Sequence, residues 1–461
     1  MPTRATKRGD ERTPLDLDCD VLICGASFAG LTVARELAGS PARPRVVVVD
    51  RYEIGERQTS ACAVPLPWLE LLGLTDAVRQ TFRRIVAHTA TRTFSWALPE
   101  PFATFDYRHL CRLLADQGDF TFETAKVEGR GPAPRPGDPI EITTDRGPVR
   151  APLVVDALGW RRVLAPAAEA TIQPPEAYLS RGLEVHPAGT SGELALYLDP
   201  RYVPDGYGWS FPAGDEVRVG VGSFDPHEHV KEPTVRLAAD LDRPTDGFQG
   251  NWIPHRLRAA TGDGVFFVGD SAGHCLPLTA EGIRPAFHFG IALGRELRHV
   301  VEGRQTREQA LRRYASFSAQ KHPAYRWLLR LQRLVGHVIP HRRTLNGALA
   351  AASPFSVSTR AWGAYLRTLS TAPWGAAPSA AAPGRRVAAR PAPGRRGVRS
   401  AGAAPCPADP ATAPATGRDP APPRAFPTTG GSTAPVPTDP SGASASIRGE
   451  SAHPAPRARS A

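Results

Sequence analysis

The chain has 461 residues, 41% of them hydrophobic, and six cysteines; that is enough apolar mass for a large core, and no CxxC pair marks a zinc site or a thioredoxin-like dithiol. Of its formal charge of +11, residues 376–461 supply +7, from 11 arginines, no lysine and four acids. The basic balance is therefore a property of an Ala/Pro/Arg-rich stretch, which argues against a nucleic-acid groove on the rest.

Residues 1–17 are polar and are expected to form a flexible leader. No apolar stretch follows Met1, and no run approaches the ~18–20 residues that cross a bilayer, so the protein is expected in the cytoplasm with reduced thiols. Asp20-Val21-Leu22-Ile23-Cys24 is a continuous apolar run, as in a strand buried on both faces. It leads through Gly25-Ala26-Ser27-Phe28-Ala29-Gly30 into the helical period of Leu31–Leu37, then a second buried strand, Arg45–Val49, ending at Asp50. This is the opening unit of a Rossmann-type dinucleotide fold. Gly25 permits the tight turn and Gly30 close helix packing. Ser27, in place of the usual middle glycine, is small enough to let backbone N–H groups approach a pyrophosphate. Asp50 stands where a carboxylate accepts from an adenosine ribose.

A helix is expected around Phe105–Leu114, and antiparallel strands over Thr121–Val127 and Ile140–Thr144. Leu153–Ala157 returns to the buried parallel type. Strand signals fill about 170–252, among them Leu194–Leu198 and Val217–Val221, and Val265–Val268 is the last buried strand before a long helix to about 300. Residues 306–370 look helical and basic. Residues 376–461 have too little apolar mass to offset chain entropy and are expected to be disordered.

The second chemical motif runs from Gly269-Asp270 to Glu281-Gly282-Ile283-Arg284. A strand ending in Gly-Asp, then small residues, a proline and a glycine opening a helix, suits a flavin. Asp270 can accept from ribityl hydroxyls, while Gly282 and Ile283 point N–H groups and a helix dipole at the N1–C2=O edge, where reduction places negative charge.

With these two motifs the chain resembles the p-hydroxybenzoate-hydroxylase-like FAD superfamily, and within it the geranylgeranyl reductase family. The narrower resemblance rests on Tyr207-Gly208-Trp209-Ser210-Phe211-Pro212, followed after seven residues by Gly220-Val221-Gly222, which fits YxWxFP-x(7–8)-GxG at every fixed position; Gln58–Pro65 is similar to the family's cysteine-containing segment. The resemblance covers about 18–335. It implies FAD contacts at Ala29, Asp50, Cys62, Ala63, Arg108, Val127, Asp270, Gly282 and Ile283. Arg108 would neutralise pyrophosphate, and Cys62, near the ring, would position substrate or carry a proton. Tyr207, Trp209 and Phe211 alternate along a strand and would wall a tunnel for a long apolar substrate.

The expected architecture is α/β. A discontinuous Rossmann-type FAD-binding domain (18–165 and 253–305) carries an inserted β-rich substrate domain (166–252), a C-terminal helical region (306–375) and the tail. The function expected from the resemblance is reduction of C=C bonds in an isoprenoid or prenylated lipid, with FAD reduced by NAD(P)H or a small redox protein. The alternative is an FAD-dependent monooxygenase or epoxidase acting on an apolar small molecule. Tyr325–Val335 mixes bulky apolar and cationic residues, consistent with peripheral contact at the inner face of a membrane. His109, His255, His274 and His288 lack a ligand-like grouping, so no metal is expected, and no GxSxG elbow points to hydrolysis.

Overall fold

The computed structural model describes residues 13–58, 60–132, 138–166 and 179–374. The expected disordered tail, Cys406 within it, and the first twelve residues of the leader lie outside the described residues.

Val21–Cys24 occupies the middle of a six-stranded sheet, between Leu153–Asp156 and Val46–Asp50, all parallel. Val265–Phe267 and Thr121–Thr124 extend the sheet in parallel, and Thr261–Gly262 closes one edge antiparallel. The unbroken apolar runs follow from burial on both faces. Val21, Ile23, Val46 and Val48 pack with the helices Phe28–Leu37 and Ile283–Val301, whereas Leu22, Cys24, Val47 and Val49 face a smaller sheet bearing Ile140, Ile142 and Val149. That four-stranded sheet orders Leu17–Asp18, Gly147–Ala151, Ile140–Thr144 and Val127–Arg130.

Two expectations change here. The leader does not stay loose to residue 17: Leu15 is buried in the core beneath the small sheet, and Leu17 pairs with Val149. Thr121–Thr124 is a parallel edge strand against Val47–Asp50 and no partner of Ile140–Thr144, whose antiparallel neighbours are Val127–Arg130 and Gly147–Ala151. Its half-exposed edge position gives the polar–apolar alternation that also marks antiparallel strands.

The third sheet has eight strands, in the order Gln249–Pro254, Leu179–Val185, Glu216–Ser223, Gly206–Ala213, Ala195–Leu198, Val78–Thr89, Thr93–Phe105 and Ala63–Pro65. The last three come from the stretch read as cofactor domain, so this sheet is not built from 166–252 alone. Ala195–Leu198 joins the two contributions by pairing parallel with Val86–Thr89. The helix Lys231–Asp240 covers one face through Leu237 and Ala238. Four further α-helices, Arg307–Ala319, His322–Val338, Arg342–Ala351 and Phe355–Arg367, follow, and a 3-10 turn at Ala372–Trp374 ends the described chain.

Candidate functional site

The central strand delivers Gly25 at φ +114°, where a Cβ would lie 2.3 Å from the Ala157 carbonyl oxygen. The chain can therefore turn there only as glycine. Ser27 is the N-cap of the helix Phe28–Leu37 but makes no side-chain cap; its Oγ lies 3.2 Å from Tyr107 Oη instead. The free N–H groups of the first turn are thus left for an anion, and Ser27, Phe28 and Ala29 line one large cavity. Asp50 accepts from the Ala26 N–H (2.8 Å) and the Tyr52 N–H (3.0 Å). Burial pushes its carboxyl up, against these two backbone bonds. Arg57 and Lys126 line the same end, beside Val127.

At the far end, Val265–Phe267 runs into Gly269 and Asp270, and the helix Ile283–Val301 starts at Gly282, again without a side-chain cap. Asp270, Gly282 and Ile283 line the same cavity as Ser27 and Asp50. Two long helices therefore open uncapped N-termini into one space, and an extended anionic dinucleotide with an electron-accepting ring fits between them. The loop between Asp270 and Gly282 is held by its neighbours. Tyr207 Oη donates to the Thr279 carbonyl (2.7 Å), and the Leu278 N–H donates to Gln332 (2.8 Å). Leu278 and Ala280 sit at φ +71° and +50°, and Cys62 in the same cavity at +53°. Such strained residues cluster where the surroundings over-determine a functional geometry.

Desolvation pushes the Asp270 carboxyl up to about 6, opposed by Arg258. Folding raises this value above the ordinary 3.8, so ionised Asp270 weighs against the fold, and flavin-free stability should fall as pH rises from 3.8 through about 6. Asp270→Asn is expected to flatten that window in melts of flavin-free protein. It should also weaken FAD binding about tenfold or more, since a hydrogen bond to a charged group contributes roughly 1.5–3 kcal/mol. Unchanged affinity by flavin-fluorescence titration would count against the ribityl role.

Cys62 is buried, and its thiol donates to the Ser60 carbonyl at 3.2 Å. Burial pushes the thiol up, with Arg218 opposing. Arg218 is itself buried and anchors this segment, donating to the Ala61 and Phe105 carbonyls, each at 2.9 Å. Tyr207, Trp209 and Phe211 line the cavity from one face of Gly206–Ala213. The glycines after them have a steric reason: a Cβ at Gly220 would lie 2.3 Å from the Trp209 ring, and one at Gly222 3.4 Å from it. The indole lies across the backbone of the paired strand, and its N–H donates to Glu184 (3.0 Å).

The cavity thus gathers Ser27, Ala29, Asp50, Cys62, Ala63, Val127, Asp270, Gly282 and Ile283 with the three aromatics. Gly25 and Gly30 lie behind its wall. Arg108 departs from expectation: it is exposed, and its Nε reaches the Gly55 carbonyl at 3.4 Å, while Arg57 and Lys126 are cations that do reach the cavity. Sequence reasoning passed over Tyr107 and Glu184, and it read Leu331 and Val335 as part of a membrane-facing helix, where they join Val338, Leu345 and Trp362 in a helical wall of the cavity. Lys126, adjacent to Val127, was the one with a positional signal. Among the described residues no group of three His, Cys, Asp or Glu side chains is placed to hold a metal ion. The cavity holds about 1610 Å³, above the roughly 300–1,000 Å³ of a single small-molecule site, so there is room for a cofactor and a substrate together.

No protein-family model matches the chain. Digeranylgeranylglycerophospholipid reductase 3 of Methanosphaera stadtmanae is 25% identical over 331 residues, covering 65% of this chain and 82% of that protein. Among solved structures, a geranylgeranyl bacteriochlorophyll reductase-like protein from Thermoplasma acidophilum superposes with a TM-score of 0.61 at 17% identity, covering 77% of this chain and 96% of that one. PqsL of Pseudomonas aeruginosa, a probable FAD-dependent monooxygenase, superposes at 0.56 with 20% identity, covering 72% and 99%. The chain is thus similar in sequence to a protein named as a digeranylgeranylglycerophospholipid reductase, in line with the resemblance its motifs carry, and it shares its α/β fold with these two solved structures.

Proposed function

We propose that this protein is an FAD-dependent oxidoreductase that saturates C=C bonds of an isoprenoid or prenylated lipid. The observation that carries the reading is one continuous cavity. It joins two uncapped helix N-termini to an apolar arm between the eight-stranded sheet and the C-terminal helices. The residues fit FAD: the first turn of Phe28–Leu37, with Arg57 and Lys126 nearby, would hold the pyrophosphate, Asp50 the ribose, Asp270 the ribityl chain, and Gly282 and Ile283 the ring edge. Bound and reduced, FAD supplies hydride equivalents. Tyr207, Trp209 and Phe211 orient an apolar chain and keep water from the reacting carbons. Cys62, a neutral thiol, shapes the wall beside the ring. NAD(P)H or a small redox protein would be the electron donor. A monooxygenase reading is less favoured, because PqsL shares only the fold, whereas the sequence relative carries a reductase name.

The deciding experiment incubates reduced holoenzyme anaerobically with polyprenyl lipids and follows product mass. A gain of two hydrogens per bond supports the reading. A product carrying added oxygen once air is admitted, with no saturation beforehand, would replace it with the monooxygenase.

Substrate access points to a membrane. Trp327, Leu334, Phe355 and Val357 are exposed at 59%, 57%, 71% and 43%, all on the helices His322–Val338 and Phe355–Arg367, among exposed Arg326, Arg330, Arg333 and Arg360. Leu334 belongs both to this face and to the cavity wall, so the face is continuous with the apolar arm. No helix among the described residues is long and apolar enough to cross a bilayer, and the pattern is that of helices lying in an interface. Replacing Trp327, Leu334 and Phe355 by serine is expected to lower co-sedimentation with anionic vesicles at least tenfold while leaving FAD content unchanged. Equal sedimentation of variant and parent would remove the membrane face.

A further inference from the structure

Glu184 is a buried carboxylate on the cavity wall that the FAD contacts leave unused. It comes from the strand Leu179–Val185, on the same face as Ser180 and Gly182, and its side chain is only 4% exposed. One oxygen accepts from Trp209 Nε1 (3.0 Å) and the other from His186 Nε2 (2.9 Å). The far nitrogen of that imidazole, Nδ1, lies 3.3 Å from the Gln249 side-chain amide nitrogen; this amide donates to a neutral Nδ1 through its nitrogen and accepts from a protonated one when its oxygen is turned in. The other charged and titratable groups facing Glu184 are Arg218 and Cys62, from neighbouring elements.

Two hydrogen bonds and the facing Arg218 allow this carboxylate to stay buried, and it still borders the cavity. Glutamine would hold the Trp209 N–H as well and carry no charge. The other cavity carboxylates with fixed partners are committed elsewhere. Asp50 is bound by two backbone N–H groups, and Glu281 by both forks of Arg284. Saturating an alkene consumes a hydride equivalent and a proton, so a proton donor placed on the cavity wall has a step to serve.

We propose that Glu184 and His186 form the proton-delivery pair of this cavity, Glu184 handing the proton to substrate and His186 reloading it; this rests on the reductase reading. The atoms balance. His186 takes up one proton from solvent and passes it to the Glu184 carboxylate. The Glu184 O–H bond breaks as the new C–H bond forms at one alkene carbon, while the hydride equivalent from reduced FAD closes the other. The alkene gains two electrons, FAD is oxidised by two, and Glu184 returns to carboxylate. Glu184 is the group that touches substrate, and His186 acts through it.

Glu184→Gln is expected to retain FAD and its reduction by dithionite. Its anaerobic single-turnover saturation rate should fall by roughly 10²–10⁴, the usual worth of a placed general acid. The solvent deuterium isotope effect of the parent should change with it, and Glu184→Asp should recover part of the rate. A readout independent of turnover is the imidazole 15N shift pattern of His186 at one fixed pH in flavin-free protein, which reports which ring nitrogen carries the proton and which Glu184→Gln should change. A variant with parental rate and isotope effect overturns the pair. So does a His186 ring pattern indifferent to Glu184, whatever the turnover. If the parent saturates no alkene while that pattern still answers to Glu184→Gln, the reductase reading fails, and proton delivery to an alkene fails with it.

Discussion

Gly25→Ala should yield a folded protein that purifies colourless and binds added FAD at least about 100-fold more weakly than the parent, a loss of roughly 2.7 kcal/mol. The effect has two parts. At φ +114° an L side chain is strained, at a cost of about 1–3 kcal/mol. Its Cβ would also stand 2.3 Å from the carbonyl oxygen and 2.6 Å from the carbonyl carbon of Ala157, both backbone atoms of the neighbouring strand. That strand is fixed, because the Ala157 N–H donates to the Cys24 carbonyl (2.7 Å) and Asp156 pairs with Cys24. The turn must therefore yield, and it carries Ala26 and Ser27 away from Asp50 and the start of the helix. Misplacement of the phosphate-facing N–H groups by an ångström is enough for the expected loss. Gly39→Ala is the control: Gly39 also has positive φ, +68°, but nothing lies within 4 Å of its Cβ position, so it should cost stability and leave the protein yellow. Calorimetry with FAD separates the two. If Gly25→Ala bound FAD as tightly as Gly39→Ala, the turn would have no part in holding the cofactor.

The same turn shows why part of this molecule was readable before its structure. Val21–Cys24 and Val46–Val49 are buried on both faces, so every residue is apolar and the run stands out; the glycine between them follows from the close approach of Ala157. The motif at Tyr207–Phe211 was legible for a similar reason, since the Trp209 ring demands small residues across the ladder at Gly220 and Gly222. The strands 78–105 were not. Val78–Thr89 is exposed at most of its first seven positions, and its register shifts twice against its partner. Thr93–Phe105 carries Pro99 and Pro101, which read as loop. They are tolerated because they fall in the register shift between Ala97 and Phe102, and Ala63–Pro65 pairs only with Phe102–Thr104. Glu184 was invisible because nothing in Leu179–Val185 tells that its carboxylate meets an indole 25 positions later. Arg108 was placed by resemblance alone, and the helix that carries it turns it outward.

Arg284→Ala should lower stability by about 3–5 kcal/mol and loosen the C-terminal helix from the ring end of the cavity. Arg284 is fully buried in the first turn of Ile283–Val301. Its Nε and Nη2 grip both oxygens of Glu281 at 2.7 and 2.8 Å, while Nη1 donates to the carbonyls of Leu366 (2.9 Å) and Leu369 (3.1 Å). Those carbonyls end the helix Phe355–Arg367, where a cation also offsets the helix dipole. Tyr365 completes the joint: its ring lies under the guanidinium at 4.8 Å, and its hydroxyl bonds to both Thr279 and Glu281. One cation therefore ties the loop 275–282, the helix that opens behind it and the helical roof over the apolar arm. Alanine would leave the Glu281 carboxylate buried without its counter-charge, the costly half of a broken ion pair, and at ~2 °C per kcal/mol the melting temperature should fall by roughly 6–10 °C. Lysine keeps the charge but not the fork, so it should recover only part. The discriminating variant is the double change Arg284→Met with Glu281→Gln, which removes both charges. It should melt well above Arg284→Ala while its 355–369 segment remains cleavable by protease, because the carbonyl tethers are still missing. Protease resistance equal to the parent in Arg284→Ala would mean that packing alone seats the roof, and that the guanidinium is not the joint between cofactor loop and substrate arm.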